Sequence, residues 1–190
     1  MAAPNIPWIS PEEFLAHEEA SEIKHLYYAG VVTAMAGGSF EHARLAMNLG
    51  GELYAALRGR DCGVLGSDVM FQTGSRDMLV YPDLMVICGP VSRMQGRPNV
   101  VTNPVFVVEV LSPSTEAKDR GDKSHEYRTS PSVRQYALIS QDKPRVEIHT
   151  RAEDGTWILS EVSGLDGEVA IASLGCRVPM AALYRGVLEG

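Results

Sequence analysis

The pattern of apolar and polar positions divides the 190-residue chain into many short elements. One of them is apolar almost throughout. Val105-Phe106-Val107-Val108-Glu109-Val110-Leu111 carries six apolar side chains in seven positions and runs directly into Ser112-Pro113-Ser114-Thr115. A β-branched run of that length, closed by a turn signal, reads as a strand buried on both faces. Side chains alternate along a strand, so Val105, Val107, Glu109 and Leu111 share one face, and Phe106, Val108 and Val110 share the other. Glu109 breaks the pattern. A carboxylate there must be neutral, paired or bound to a metal. The end of a buried strand, just before a polar loop, is where α/β proteins tend to build sites.

The rest of the chain reads around that strand. Ser10-Pro11-Glu12-Glu13 combines a cap, a proline suited to the first helical position and a capping box, with Ile9 and Phe14 placed as a hydrophobic staple. The spacing predicts a helix from there to about Ala20. Leu26–Tyr28 and Val31–Met35 flank Ala29-Gly30 as a β-hairpin. Ser39 caps a second helix from about Phe40 to Arg58, with Ala43, Ala46, Leu49, Leu53, Ala56 and Leu57 near helical spacing and Gly59 as its stop. Strands follow at Gly63–Leu65, Asp68–Gln72 and Leu79–Ile87, the last interrupted at Pro82, which has no N–H for a ladder. Residues from Cys88 to Asn103 read as a long loop suited to a flap. Asp119–Arg128 forms a short helix. Val133–Ile139, Arg145–Thr150 and Thr156–Val162 are further strands, and Pro179 opens a short terminal helix. This order predicts an α/β (α+β) chain: one domain over 1–190, a central mixed sheet flanked by helices, and an added hairpin meander.

Composition narrows the function classes. The chain is 45% hydrophobic and 22% charged, with a net charge of −7, which argues against non-specific nucleic-acid binding through an overall basic surface. Cys62, Cys88 and Cys176 are odd in number, distant in sequence and without CxxC spacing, so they read as reduced thiols of a cytoplasmic protein. No leader pattern opens the chain, and no apolar run approaches the ~20 residues of a membrane span.

Asp83 and Glu109 are the two acids that interrupt apolar strands. If those strands are neighbours, the acids converge at one end of the sheet. Two carboxylates on rigid strands suit Mg²⁺, which takes one or two carboxylates and keeps several waters. Pro82-Asp83 with an acid 26 residues on follows the P-D…(D/E)-x-K pattern, but Leu111 stands at the Lys position. The alternative is a buried Glu paired with Arg or Lys, and an Asp that ends a turn.

At these residues the chain resembles the Uma family of restriction-endonuclease-like proteins, within the PD-(D/E)XK nuclease superfamily. The resemblance rests on Lys24-His25-Leu26-Tyr27-Tyr28-Ala29-Gly30, Met35-Ala36-Gly37-Gly38-Ser39 with His42, Tyr81-Pro82-Asp83, and Val108-Glu109-Val110-Leu111-Ser112-Pro113-Ser114-Thr115. Asp119-Arg120-Gly121-Asp122-Lys123 and Tyr127 complete it. It implies a restriction-endonuclease-like fold that binds Mg²⁺, with Mn²⁺ as an alternative ion, and cleaves DNA phosphodiesters. It also implies a homodimer. Asp83 and Glu109 match the family's acidic pair and would hold the metal. An apolar residue is common in the family at the position of Leu111, and Lys123 on the following helix would take the catalytic role of the absent Lys. Leu26 stands where the family often carries Glu, which removes a candidate metal neighbour; Asp68 and Glu41 are the acids that could replace it. His42, in the first turn of a helix, suits a neutral hydrogen-bonding role. Tyr127 reads as packing against the sheet. Lys118, Arg120, Lys123, Arg128 and Arg134 form a local basic cluster. The competing expectations are a non-catalytic nucleic-acid-binding module and a structural protein in which Glu109 and Lys123 are a buried ion pair.

Overall fold

The computed structural model describes residues 8–35 and 37–188. Helix α1 (Pro11–Glu19) begins at Ser10, whose hydroxyl accepts from Glu13 N at 3.2 Å while Glu13 Oε2 accepts from Ser10 N at 2.8 Å. Strands β1 (His25–Tyr28) and β2 (Val31–Ala34) form the expected hairpin. Ala29 and Gly30 both have positive φ, 46° and 89°, which gives the turn the twist that paired strands need. Ser39 caps α2 (Phe40–Ala56) by accepting from His42 N at 3.1 Å.

Strands β3 (Cys62–Gly66), β4 (Met70–Gln72), β5 (Met78–Val80), β6 (Leu84–Cys88), β7 (Arg93–Met94), β8 (Arg97–Val101) and β9 (Phe106–Leu111) follow. After β9 come α3 (Glu116–Lys118), a π-helical turn (Asp119–Lys123) and α4 (Ser124–Thr129). The chain continues as β10 (Gln135–Ser140), β11 (Arg145–Arg151), β12 (Trp157–Ser163), β13 (Glu168–Ile171), a 3₁₀ turn (Ala172–Leu174), β14 (Cys176–Pro179) and α5 (Met180–Leu183).

These strands form two six-stranded mixed sheets and a two-stranded ribbon, where the sequence pattern had indicated one central sheet. One sheet has the order β12-β11-β10-β9-β6-β3, the other β2-β1-β5-β4-β8-β7, and β13 pairs with β14. β9 lies inside the first sheet, parallel to β10 and antiparallel to β6. All six of its residues are buried, as its unbroken apolar run requires. Phe106, Val108 and Val110 join Leu45, Leu49 and Leu53 of α2 and the C-terminal ribbon in one core. Val107 and Leu111 join Tyr127, Tyr136 and Leu26 in a second core on the opposite face. Each fully buried Val or Leu stabilises by about 1.5–3 kcal/mol, so both faces of β9 anchor the fold.

Three local expectations are corrected. The run from Leu79 to Ile87 is two strands in two different sheets, because the chain turns out of one sheet at Pro82 before Asp83 leads into β6. The Cys88–Asn103 segment contains the β7–β8 hairpin rather than a flap. Asn103 pins it by accepting from Ser92 N at 2.8 Å and donating to the Pro90 carbonyl at 3.0 Å. Cys62 and Cys88 are disulfide-bonded, leaving Cys176 free. The antiparallel register of β3 and β6 puts them directly opposite each other, which spacing along the sequence could not reveal and which removes the cysteine argument for a reducing compartment. Among the described residues, no helix is long and apolar enough to cross a membrane.

Candidate active site around Glu109

The acidic pair meets because β6 and β9 are neighbours. Their ladder pairs Leu84 with Val108, so the next residue back, Asp83, falls beside Glu109. Backbone pairing stops there as the chain departs at Pro82. The Asp83 carboxylate takes over the ladder's next position: its Oδ2 accepts from Val110 N at 2.7 Å. Its Oδ1 lies 3.0 Å from His42 Nε2, which the capped first turn of α2 brings over the end of β6. That hydrogen bond raises the His42 pKa above its ordinary value, against the opposing effect of burial.

Glu109 points to the opposite side of β9 from Val110, toward the helical segment after it. The π-helical turn supplies two of its neighbours. Successive residues four apart drift by about 40° around an α-helix, and a wider turn with i→i+5 geometry offsets that drift. Asp119, Lys123 and Tyr127, each four residues from the next, are all buried, and Ser124 Oγ donates to the Asp119 carbonyl at 2.7 Å inside the turn. Lys123 Nζ lies 3.0 Å from Glu109 Oε2 and 2.8 Å from Asp119 Oδ1. The Tyr127 hydroxyl donates to Glu109 Oε1.

Charge in this cluster is unbalanced. Glu109 and Asp119 flank the Lys123 ammonium, and Asp83, bound to His42, adds a third carboxyl group at the edge. Burial pushes the Glu109 carboxyl up to about 8, and Asp83 and Asp119 add to the push, while Lys123 and the Tyr127 hydrogen bond oppose it. Burial pulls Lys123 down, but Glu109 and Asp119 outweigh it and hold the ammonium charged. Burial also raises the Tyr127 hydroxyl, so it stays a donor. Exposure shows where the cluster opens. The side chains of Asp83 and His42 are 16% and 19% exposed, whereas those of Glu109, Asp119 and Lys123 are 3%, 2% and 7% exposed.

Asp83 and Glu109, paired by their pattern in the sequence, and Lys123, linked to them by the family resemblance, lie together in the fold. Asp119, the His42–Asp83 contact and the Tyr127 hydroxyl are further members. The i, i+4 step from Asp119 to Lys123 to Tyr127 was the available signal for them. Leu26 and Leu111, the two departures from the family pattern, belong to the same apolar cluster beneath the site. Asp68 is an exposed partner of Lys24 and so does not replace an acid at position 26, and Glu41 lies in the first turn of α2, half-buried. The expected basic cluster is divided. Lys123 is turned inward, and Arg120 is bound to Glu116 at 2.7 Å and bidentately to Glu147 at 2.7 and 2.8 Å.

The donor set fits a hard dication in its chemistry. The oxygens are carboxyl oxygens, and carboxyl groups outnumber the one ammonium among them. Asp119 Oδ1, although near Lys123, makes no aligned hydrogen bond. Among the described residues there is no cage of three His, Cys, Asp or Glu side chains, which is compatible with an ion that takes one or two carboxylates and keeps its waters. A polar cavity of about 110 Å³, lined by Leu111, Ser112, Arg120, Gln141 and Lys143 among others, flanks the end of β9.

Comparison with known proteins places this geometry in context. A family model described as "Uma2: Putative restriction endonuclease" matches residues 11–181. Two uncharacterized proteins of Synechocystis sp. are similar over most of their length. One is 35% identical, covering 95% of this chain and 94% of the relative. The other is 32% identical, covering 85% and 91%. Among solved structures, one described as a putative nuclease belonging to DUF820 from Anabaena variabilis superposes with a TM-score of 0.76. It covers 93% of this chain and 97% of its own at 17% identity, a likeness of fold. The expected restriction-endonuclease-like fold is the one observed.

Proposed function

We propose that this chain, which belongs to the Uma2 family, is a Mg²⁺-dependent endonuclease that hydrolyses DNA phosphodiester bonds. The observation that carries the reading is the excess of buried carboxyl groups over cations around Glu109, one of which the fold holds protonated in the absence of a further cation. Glu109 and Asp119 both contact Lys123, and Asp83 lies beside Glu109 where a buried strand meets a partly open edge. A protein gains nothing in stability from an excess carboxylate in its core, and a dication is the partner that would balance it.

Asp83 and Glu109 would hold the ion, with Asp119 as a further anionic neighbour. When bound, Mg²⁺ or Mn²⁺ supplies Lewis-acid chemistry, lowering the pKa of water and offsetting charge on phosphate oxygens. The chain's own residues do the rest. Lys123, kept charged by its two acids, stabilises negative charge developing on the phosphate group. His42 fixes the Asp83 carboxylate from one side and Val110 N from another, so that oxygen positions are set before substrate arrives. Tyr127 does the same for Glu109. Leu26 and Leu111 keep water out from beneath.

Calorimetric titration of Mn²⁺ into wild type, Asp83→Ala and Glu109→Ala tests the site, followed by Mg²⁺-dependent cleavage of plasmid DNA. Expected are binding and cleavage by wild type, with both lost in variants that remain folded. Wild-type protein that neither binds Mn²⁺ nor cuts DNA overturns the proposal. The Lys123–Glu109 and Lys123–Asp119 contacts favour one rival: a fold retained for binding or structure, with the acids as an ion-pair network. Under it, Glu109→Ala unfolds the protein and Mn²⁺ leaves its melting temperature unchanged.

A further inference from the structure

Two buried acids stand in one row across the sheet that contains β9. The register pairs Glu147 of β11 with Leu138 of β10, and Leu138 with Glu109 of β9. Residues in register share a face, so the row runs acid, leucine, acid, its ends about 10 Å apart at ~4.8 Å per strand. All three are buried, at 5%, 2% and 2% exposure. The segment after β9 meets each acid with a cation. Lys123 Nζ lies 3.0 Å from Glu109 Oε2, and Arg120 donates to both oxygens of Glu147, at 2.7 and 2.8 Å. Both cations come from one π-helical turn, Asp119–Lys123.

We propose that Arg120 and Glu147 are positioning residues for Lys123, fixing the π-helical turn over this row so that the ammonium is delivered to Glu109. The turn has little else to seat it. α3, which precedes it, buries none of its residues. A helical segment as short as Glu116–Thr129 is marginal in water without tertiary contacts. Tyr127 anchors its second half in the apolar core. Outside the Glu109 cluster, the side-chain hydrogen bonds tying its first half to the sheets, among the described residues, are Arg120 to Glu147 and an exposed contact of Lys118 with Thr33 at 3.1 Å. A bidentate guanidinium–carboxylate pair fixes direction as well as distance. Lys123 has a long, flexible stem, so its place beside Glu109 depends on where the backbone sets it.

Both partners are themselves braced. Arg145 Nη2 lies 3.1 Å from Glu147 Oε1 and 2.7 Å from Glu161 Oε2 on β12. Glu116, four residues before Arg120, accepts from its Nε at 2.7 Å. With Nε and both terminal nitrogens engaged, Arg120 is committed to the fold rather than free for a phosphate. The two roles differ in what their loss does. Losing a phosphate contact weakens substrate binding and its salt dependence. Losing a positioning pair leaves binding in place and removes stabilisation of the transition state. The seating of Lys123 is a property of the fold, and its effect on cleavage rests on the nuclease reading.

Two measurements on the full chain test it, and the first needs no activity. Acetic anhydride labels accessible amines, and mass spectrometry compares Lys123 with Lys24 and Lys143. In wild type, Lys123 at 7% exposure should be protected. Arg120→Ala and Glu147→Gln should each raise its labelling at least ~10-fold by letting the turn open locally, with Lys24, Lys143 and the circular dichroism as in wild type. The second measurement is Mg²⁺-dependent cleavage of DNA. There kcat should fall ~10–100-fold in both variants with KM within about twofold, while calorimetry shows Mn²⁺ binding retained. Arg120→Lys, which keeps the charge without the fork, should recover part of the rate. Lys123 that stays protected in both variants, a raised KM with kcat unchanged, or two variants that unfold outright overturns the proposal. Wild type that cuts no DNA overturns the nuclease reading alone, and the labelling then decides whether the pair seats Lys123.

Discussion

Replacing Glu109 with Gln separates two accounts of the buried cluster through stability alone. The carboxyl is pushed from the usual 4.5 up to about 8 by burial and by Asp83 and Asp119. One pKa unit corresponds to about 1.36 kcal/mol, so the ionised form is disfavoured in the fold by on the order of 5 kcal/mol. Because the folded pKa is raised, the stability contributed by this group is complete below pH 4.5 and is lost as pH rises through about 8. Between about pH 5 and pH 9, metal-free wild type should therefore lose on the order of 4 kcal/mol through this one residue. Glu109→Gln keeps the side chain's shape and cannot ionise, and Lys123 retains Asp119 at 2.8 Å. The variant should match wild type near pH 5 and exceed it by several kcal/mol near pH 9. Urea unfolding of both proteins in EDTA at a series of pH values measures the difference. If Glu109 is instead an ionised structural partner of Lys123, removing it costs ~3–5 kcal/mol at neutral pH. Parallel curves, or a variant less stable than wild type throughout, would refute the reasoning.

The remaining predictions concern the frame around the site. Arg120 hydrogen bonds, with Arg145 nearby, hold the Glu147 carboxyl below its usual value. Its contribution is therefore present above about pH 4.5 and lost as pH falls through the lower folded value, and Glu147→Gln should flatten the acid limb of an unfolding profile, with Arg120→Ala doing the same. A methyl group at Gly74 would lie 2.7 Å from Ser130 Cα and against the Thr129 carbonyl. Gly74→Ala should thus destabilise by about 1–3 kcal/mol in chemical denaturation, and an unchanged midpoint would show that the β4–β5 turn shifts freely. Denatured without reductant, each chain should expose one reactive thiol, Cys176, and three after reduction. Losing the Cys62–Cys88 link should lower stability by about 3 kcal/mol, readable as a fall in melting temperature.

The parts legible in the sequence are those written within a few residues. The Ser10–Glu13 capping box, the Ala29-Gly30 turn and the Ser39 cap each combine local sterics with hydrogen bonds that close over three or four positions. The β9 strand announces itself because burial on both faces leaves no room for alternation, and Glu109 stands out against it. Asp83 and Glu109 could be paired as candidates, and Lys123 could be linked to them through family resemblance.

What only the tertiary structure decided depends on residues far apart in the chain. Pro82 marks an interruption, but not that its two sides enter different sheets. Cys62 and Cys88 face each other because of an antiparallel register that no spacing rule encodes. His42 reaches Asp83, and Asp119 joins Lys123 beside Glu109, only once α2 and the π-helical turn are packed against β9. Helix α2 states the difference most plainly. Its periodicity contains Leu45, Leu49 and Leu53 on one side and Phe40, Met47 and Tyr54 on the other, all equally apolar. Which side is core and which is left open depends on which one the rest of the chain covers, because the hydrophobic effect rewards removal of surface from water and is indifferent to the element that removes it.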